Sequence, residues 1–163
     1  SPFALVREVR EFFDGPIALS GSISEGSSVL SALALGADFA YVGTKFIATE
    51  EANASPGYKQ MIIDSTADDI MYSATFTGVN GNYLRPSVEA AGLNPEEHTS
   101  GSKDDMNFST SAIAKKDNSS KAWKDIWGSG QGIGTIKDAP SVQTAVDQMV
   151  SEYEEAKSRL DNF

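Results

Sequence analysis

Two short apolar runs end in the same way. Ile17-Ala18-Leu19 leads into Ser20-Gly21-Ser22, and Phe39-Ala40-Tyr41-Val42 leads into Gly43-Thr44-Lys45. Each ends in a glycine beside a small hydroxylated residue. Between them Val29, Leu30, Leu33 and Ala34 fall on one helical face. That spacing predicts an amphipathic helix over about Gly26 to Leu35, closed by Gly36. Short, nearly continuous apolar runs suit parallel strands covered on both faces. Strand, turn, helix, strand and turn make one βαβ unit, with both glycine turns at the C-terminal ends of their strands. In a (β/α)₈ barrel the last two such turns, with the N-terminus of a short extra helix, form the standard phosphate site.

The flanking pattern extends this unit. Ser1-Pro2 reads as N-cap and first helical residue of a helix running to about Phe13. Leu5, Val9, Phe12 and Phe13 mark its expected buried face. Asp14-Gly15 is the turn, and Pro16 starts the next strand. After the second strand, Lys45 to Thr49 reads as a short helical turn. About Pro56 to Asp64 reads as a helix with Tyr58, Met61 and Ile62 inward. From Ala67 to Arg85, Ile70, Tyr72 and Thr75-Phe76 suggest extended structure, punctuated by Gly78, Asn80-Gly81 and Pro86. Asn94 to Ser120 is polar and reads as a long excursion with some helix, part of it packed through Phe108 and Ile113. Lys121 to Trp127 is a short aromatic segment leading into Gly128-Ser-Gly-Gln-Gly-Ile-Gly134. A helix from about Ser141 to Leu160 closes the chain, with Val142, Ala145, Val146, Met149, Val150 and Tyr153 as its apolar stripe.

These elements predict the α/β class. Two parallel strands joined by one crossover cannot bury both their faces. A barrel closes only with all eight strands. The chain therefore reads as the C-terminal portion of a (β/α)₈ TIM barrel: its last two strand–helix units plus a mostly helical C-terminal excursion. The expected parts are 1–66 for the barrel units, 67–134 for a substrate-side excursion and return loop, and 135–163 for the helix packing on the barrel. Ser1-Pro2-Phe3 has no starting methionine and no signal-peptide pattern. It reads as the start of a cut, processed or partial chain whose first six strands precede Ser1. A small self-sufficient α+β domain is the alternative.

Composition narrows the chemistry. The net charge is −10 and no basic stripe is present, which excludes non-specific nucleic-acid binding. No run of eighteen apolar residues predicts a membrane span. Cysteine is absent, so disulfides, thiolate metal sites and a cysteine nucleophile are excluded, which fits a cytoplasmic protein. The only histidine, His98, reads as an exposed loop residue. Asp68-Asp69 and Asp104-Asp105 lack a third ligand, so no metal site is expected. Trp123 and Trp127 read as core staples. Asn82-Tyr83-Leu84-Arg85 is placed at the mouth of the site, with Arg85 an anion ligand or half of a structural salt bridge. The Gly128–Gly134 run is a poor dinucleotide fingerprint, because no clear strand precedes it and no helix follows directly. It reads as a hinge or as a loop returning to the active-site mouth, where Gln131 offers both a donor and an acceptor.

The stretch GPIALSGSISEGSSVLSALALGADFAYVGTKFIATEEANA resembles the C-terminal barrel segment of the nitronate monooxygenase family, formerly the 2-nitropropane dioxygenases. YKQMIIDS, FTGVNGNYLRPS and KAWKDIWGSGQGIG are also similar to that family. The resemblance implies an FMN-binding TIM barrel flavoprotein that oxidises alkyl nitronates with O2. The related FMN-dependent enoyl-acyl-carrier-protein reductases share the layout and are the enzymatic alternative. A truncated, non-catalytic module is the other. The family's phosphate contacts carry over to Gly21 and Ser22 in the first turn and to Tyr41, Val42, Gly43 and Thr44 in the second. The family commonly has Gly-Gly-Ile where this chain has Gly21-Ser22-Ile23. Serine does not easily hold positive φ, so phosphate binding here is expected only if Ser22 has an ordinary backbone, with its N–H still a donor and its hydroxyl added. The family's catalytic histidine lies in an upstream Gly-rich segment, so no catalytic residue is assigned here. The implied partners are a small-molecule substrate such as a nitronate, O2 and the missing N-terminal barrel portion; a homo-oligomer stays open.

Overall fold

A computed structural model describes residues 1–76, 79–98 and 125–162. Helix α1 spans Pro2–Arg10, strand β1 Ala18–Ser20, helix α2 Gly26–Ala34 and strand β2 Phe39–Tyr41. A short helix α3, Thr44–Ile47, and a longer α4, Pro56–Asp64, follow. Strands β3, Ile70–Ser73, and β4, Gly81–Leu84, lead into α5, Arg85–Ala90. The closing helix α6 spans Val142–Leu160. The excursion lies largely outside the described residues, including Asp104, Asp105, Phe108, Ile113 and Trp123.

β1 and β2 pair in parallel, with Ala18 opposite Phe39, Leu19 opposite Ala40 and Ser20 opposite Tyr41. The intervening helix ends where Gly36 adopts φ 103. There the Gly36 and Ala37 amides return to the Leu33 and Ala32 carbonyls, satisfying the last turn. Helices cover one face of this pair. Val6, Leu19, Ile23, Ala32 and Ala37 form its core, with Ile17, Val29 and Val42 against them. The other face is bare: Phe39 is 60% and Tyr41 66% exposed. Burial on both faces, as expected from the strand composition, is therefore met on one face only.

Three expected helix faces shift. α1 buries Val6, while Leu5, Phe12 and Phe13 are exposed. The helix ends at Arg10, so helical spacing no longer positions Phe12 and Phe13. Arg10 itself ties the turn together. Its guanidinium donates to the Gly36 and Gly15 carbonyls and to Asp38, at 2.6 Å. On α2, Ala32 rather than Leu33 or Ala34 faces the core. On α6, Ala145 and Ala156 are buried while Val142, Val146 and Val150 are exposed. The cause is close approach. A Cβ on Gly26 would overlap the backbone of Met149 and Tyr153, so α2 meets α6 through small residues rather than the valine ridge. Glu152 of α6 accepts the Gly26 N–H at 2.8 Å, placing a carboxylate at the α2 N-terminus.

β3 and β4 form an antiparallel hairpin. The return segment pairs along β4, with the Leu84 amide donating to the Trp127 carbonyl and the Ser129 amide to that of Asn82. α4 matches its expected bounds. Ser55 caps it by accepting the Tyr58 N–H, and Ile62 joins Ala48, Leu84, Ile133 and Ile136 in a second core. Tyr58 stacks on Trp127 with ring centroids 5.0 Å apart and donates its phenol to the Gly128 carbonyl. Burial raises the Tyr58 pKa, so it remains a donor throughout the neutral range.

Two predictions follow from these anchors. Tyr58→Phe keeps the ring stack and removes one hydrogen bond. It is expected to cost about 0.5–1.5 kcal/mol in denaturant unfolding of the intact protein; an unchanged midpoint would mean that stacking alone holds the return segment. Asp38 accepts from the Ile17 N–H and from Arg10, which together hold its carboxyl below the ordinary 3.8. A lowered folded pKa stabilises above the unfolded pKa, and that stabilisation is lost as pH falls through the folded value. Asp38→Asn should melt below the parent at pH 7, with the gap closing as pH drops below about 4. A gap independent of pH would show that the charge is not the anchor.

Candidate functional site

The parallel register sets Ser20 beside Tyr41, so the two chains turn at neighbouring points. Gly21 follows one strand, and Val42 and Gly43 follow the other. A cavity of about 120 Å³ lies between them, lined by Ser20–Ser24, Tyr41, Gly43, Thr44, Gly130 and Gly132. Five of the seven residues expected from the sequence therefore come together: Gly21, Ser22, Tyr41, Gly43 and Thr44. Val42 packs against the first core instead. Gln131 is exposed and opens a 3₁₀ turn, Gln131–Thr135; its glycine neighbours line the cavity and it does not.

The return loop closes this space. Gly130 donates its N–H to Thr44 Oγ1 at 2.9 Å. Ser24 Oγ bonds the Gly132 carbonyl at 2.7 Å and Thr135 Oγ1 at 2.8 Å. A Cβ on Gly132 would stand 2.8 Å from the Ser22 carbonyl carbon and 2.8 Å from Ser24 Oγ, so only glycine lets the loop lie this close. A Cβ on Gly130 would meet Thr44 Oγ1 at 3.4 Å and the Ser22 amide nitrogen at 3.7 Å. Gly130 thus sits between the two turns. Gly130 and Gly132 were not assigned to the site from sequence. Their only signal was glycine spacing, which does not say where the loop returns.

The lining is rich in unused donors. The backbone N–H groups of Gly21, Ser22, Gly43 and Thr44 donate to no described residue. Thr44 Oγ1 accepts from Gly130, which leaves its proton to give. Gly43 has φ −111, so glycine there is not demanded by the backbone. A Cβ at Gly43 or at Gly21 meets nothing within 4 Å and would project into open space. At Gly21 the backbone, with φ 87, requires glycine; at Gly43 neither the backbone nor packing does. Lys45, the next residue, is 5% exposed, and no described residue gives its ammonium a hydrogen bond or a carboxylate within 4.0 Å.

Ser22 does not meet the condition set from sequence, because its backbone is left-handed. Its φ is 55, and Gly21 before it has φ 87. The turn follows the left-handed path that a Gly-Gly pair takes, at a cost of about 1–2 kcal/mol for a residue with a Cβ. Gly132 of the return loop lies against the Ser22 carbonyl in this turn.

Other candidates have structural partners. Arg85 pairs with Glu96 at 2.6 Å on the surface. Asp69 accepts the Thr66 N–H at 2.7 Å, capping a 3₁₀ turn. His98 ends the 3₁₀ turn Pro95–His98, and its side chain lies outside the described residues. Among the described residues no group of three or more acidic or histidine side chains would hold a metal ion, and no helix is long and apolar enough to cross a membrane. A larger depression of about 530 Å³ lies along α6 among Ser151, Glu154, Glu155, Ser158 and Arg159. It is one helix face and contains neither turn.

Comparison with known proteins agrees with this layout. The chain is 31% identical over 93 residues to a nitronate monooxygenase of Paraburkholderia phytofirmans, an alignment covering 57% of this chain and 25% of that protein. A mutant of FabK from Thermotoga maritima superposes with a TM-score of 0.74 at 21% identity, over 99% of this chain and 50% of that one. A nitroalkane oxidase from Streptomyces ansochromogenes does so with a TM-score of 0.72 at 24% identity, over 98% and 45%. The chain thus spans about half the length of these structures, and its fold is a portion of their (β/α)₈ barrel. The family model for nitronate monooxygenase matches residues 1–152, and the chain belongs to that family.

Proposed function

We propose that the cavity between the two turns holds the phosphate of FMN, and that the whole protein oxidises alkyl nitronates with O2. The observation that carries this reading is the pairing itself. Two glycine turns at adjacent parallel strand ends present four uncommitted amides to one small cavity. Amides and hydroxyls arranged in this way bind anionic oxygens.

Size and charge support the same ligand. A site that engulfs a drug-sized molecule has about 300–1,000 Å³. At about 120 Å³ this cavity takes an end group. The ring system would lie beyond it, over the strand ends where Tyr41 is exposed. The residues lining the cavity carry no ionised side chain, and Lys45, which follows Thr44 directly, has no carboxylate within 4.0 Å among the described residues. A dianionic phosphate nearby would serve it as a counter-ion.

FMN supplies the redox chemistry when bound. This chain's residues would anchor it. Gly21, Ser22, Gly43 and Thr44 give backbone donors, Thr44 Oγ1 gives a hydroxyl proton, and the Gly130–Gly132 loop excludes water from the phosphate end. The residue that takes the substrate proton lies outside this sequence on the family resemblance, so the chain alone would be inactive. The bare face of Phe39 and Tyr41 is where the remaining strands would pack.

Gly43→Val tests the site. A Cβ at Gly43 touches no neighbouring atom, so the variant should fold normally while its side chain blocks the phosphate. A hydrogen bond to a charged oxygen is worth roughly 1.5–3 kcal/mol, so FMN affinity should fall about tenfold or more. Lys157→Val, on the exposed side of α6, is the control. Equal FMN affinity of the two variants by equilibrium titration would place the phosphate elsewhere. With bound FMN, turnover of a nitronate without NADH or NADPH supports the monooxygenase; dependence on a nicotinamide donor would move the protein to the enoyl reductases.

A further inference from the structure

Ser22 is the one residue other than glycine with positive φ among the described residues. For the fold alone, glycine would be the better residue at this position. Gly132 lies close to the Ser22 carbonyl, and Ser24 bonds the Gly132 carbonyl. What serine adds is its hydroxyl. Of the other cavity hydroxyls, Ser20 Oγ donates to the Tyr41 carbonyl at 3.2 Å and Ser24 Oγ bonds Gly132 and Thr135, while Thr44 Oγ1 accepts from Gly130 and keeps its proton to give. Ser22 Oγ has no hydrogen-bond partner among the described residues, and the residue lines the cavity.

We propose that Ser22 Oγ is a specific ligand of the phosphate monoester end of the cofactor, donating its proton to a phosphate oxygen. This rests on the phosphate reading above and adds a side-chain contact to it. The bond offsets the left-handed backbone only when the ligand is present. Serine therefore trades stability of the empty protein for affinity, and that trade separates a binding role from a merely tolerated substitution.

The test uses the intact protein with Ser22→Gly and Ser22→Ala, and two measurements. One is the thermal midpoint without cofactor; the other is the dissociation constant for FMN and for riboflavin, which lacks the phosphate. Ser22→Gly should raise the cofactor-free midpoint and weaken FMN binding about tenfold. Ser22→Ala should weaken FMN binding to a similar extent without raising the midpoint. Riboflavin affinity should be the same in all three proteins. Glycine and alanine variants that bind FMN as tightly as the parent would overturn the proposal while leaving the phosphate site intact. An equal loss of riboflavin affinity would also overturn it, because the hydroxyl would then act away from the phosphate. A parent protein that binds FMN no more tightly than riboflavin would sink the phosphate reading itself, and this contact with it.

Discussion

The hydrogen bond from Ser24 Oγ to the Gly132 carbonyl joins segments 108 residues apart in sequence, and the site depends on it. Without it the return loop has no fixed height above the first turn. With it, Gly132 lies against the Ser22 backbone, Gly130 reaches Thr44, and the gap between the two strand ends becomes a cavity with a floor and a side wall. Ile133 and Ile136 hold the other side of the loop in the second core. Tyr58 fixes its start by stacking on Trp127 and bonding Gly128. The loop is therefore positioned by buried contacts on one side and presents backbone to the cavity on the other.

The parallel pair is half a structure in an energetic sense. Its helical face buries Leu19 and packs Ala40 and Val42, while the opposite face leaves two large aromatic rings in water. Strands of a parallel sheet ordinarily lose both faces to packing. The structures that superpose on this chain are about twice as long. If the whole protein completes the barrel as proposed, Phe39 and Tyr41 would face its interior.

Local chemistry was legible in the sequence and long-range fit was not. Ser55-Pro56 marks the start of α4 to the residue, because cap and first-turn proline act within one turn. The β1–α2–β2 order and the parallel pairing follow from run length and punctuation, as does the closure of α2 at Gly36. The face of α1 shifted because the helix ends at Arg10, before Phe12 and Phe13. On α2 and α6 hydrophobicity nominated the large residues, whereas Gly26 lets the two backbones meet at Met149 and Tyr153. Such closeness is a property of two segments together. Gly130 and Gly132 escaped assignment in the same way, since each is explained by an atom of a distant turn. The left-handed Ser22 escaped because serine by itself favours negative φ.

These contacts suggest a division of labour along the chain. Gly26, Gly132 and Ser24 are fixed by close packing or hydrogen bonding, and of these Gly132 and Ser24 also line the cavity. Gly21 is required by its φ of 87, whereas Gly43 and the Ser22 hydroxyl border the cavity with no structural neighbour among the described residues. A glycine that packing requires and a glycine that only a ligand requires are indistinguishable in a sequence. In the structure they separate by whether a Cβ meets backbone or empty space. By that criterion packing accounts for Gly26 and Gly132 and not for Gly43, and the proposed phosphate site would supply the reason at Gly43.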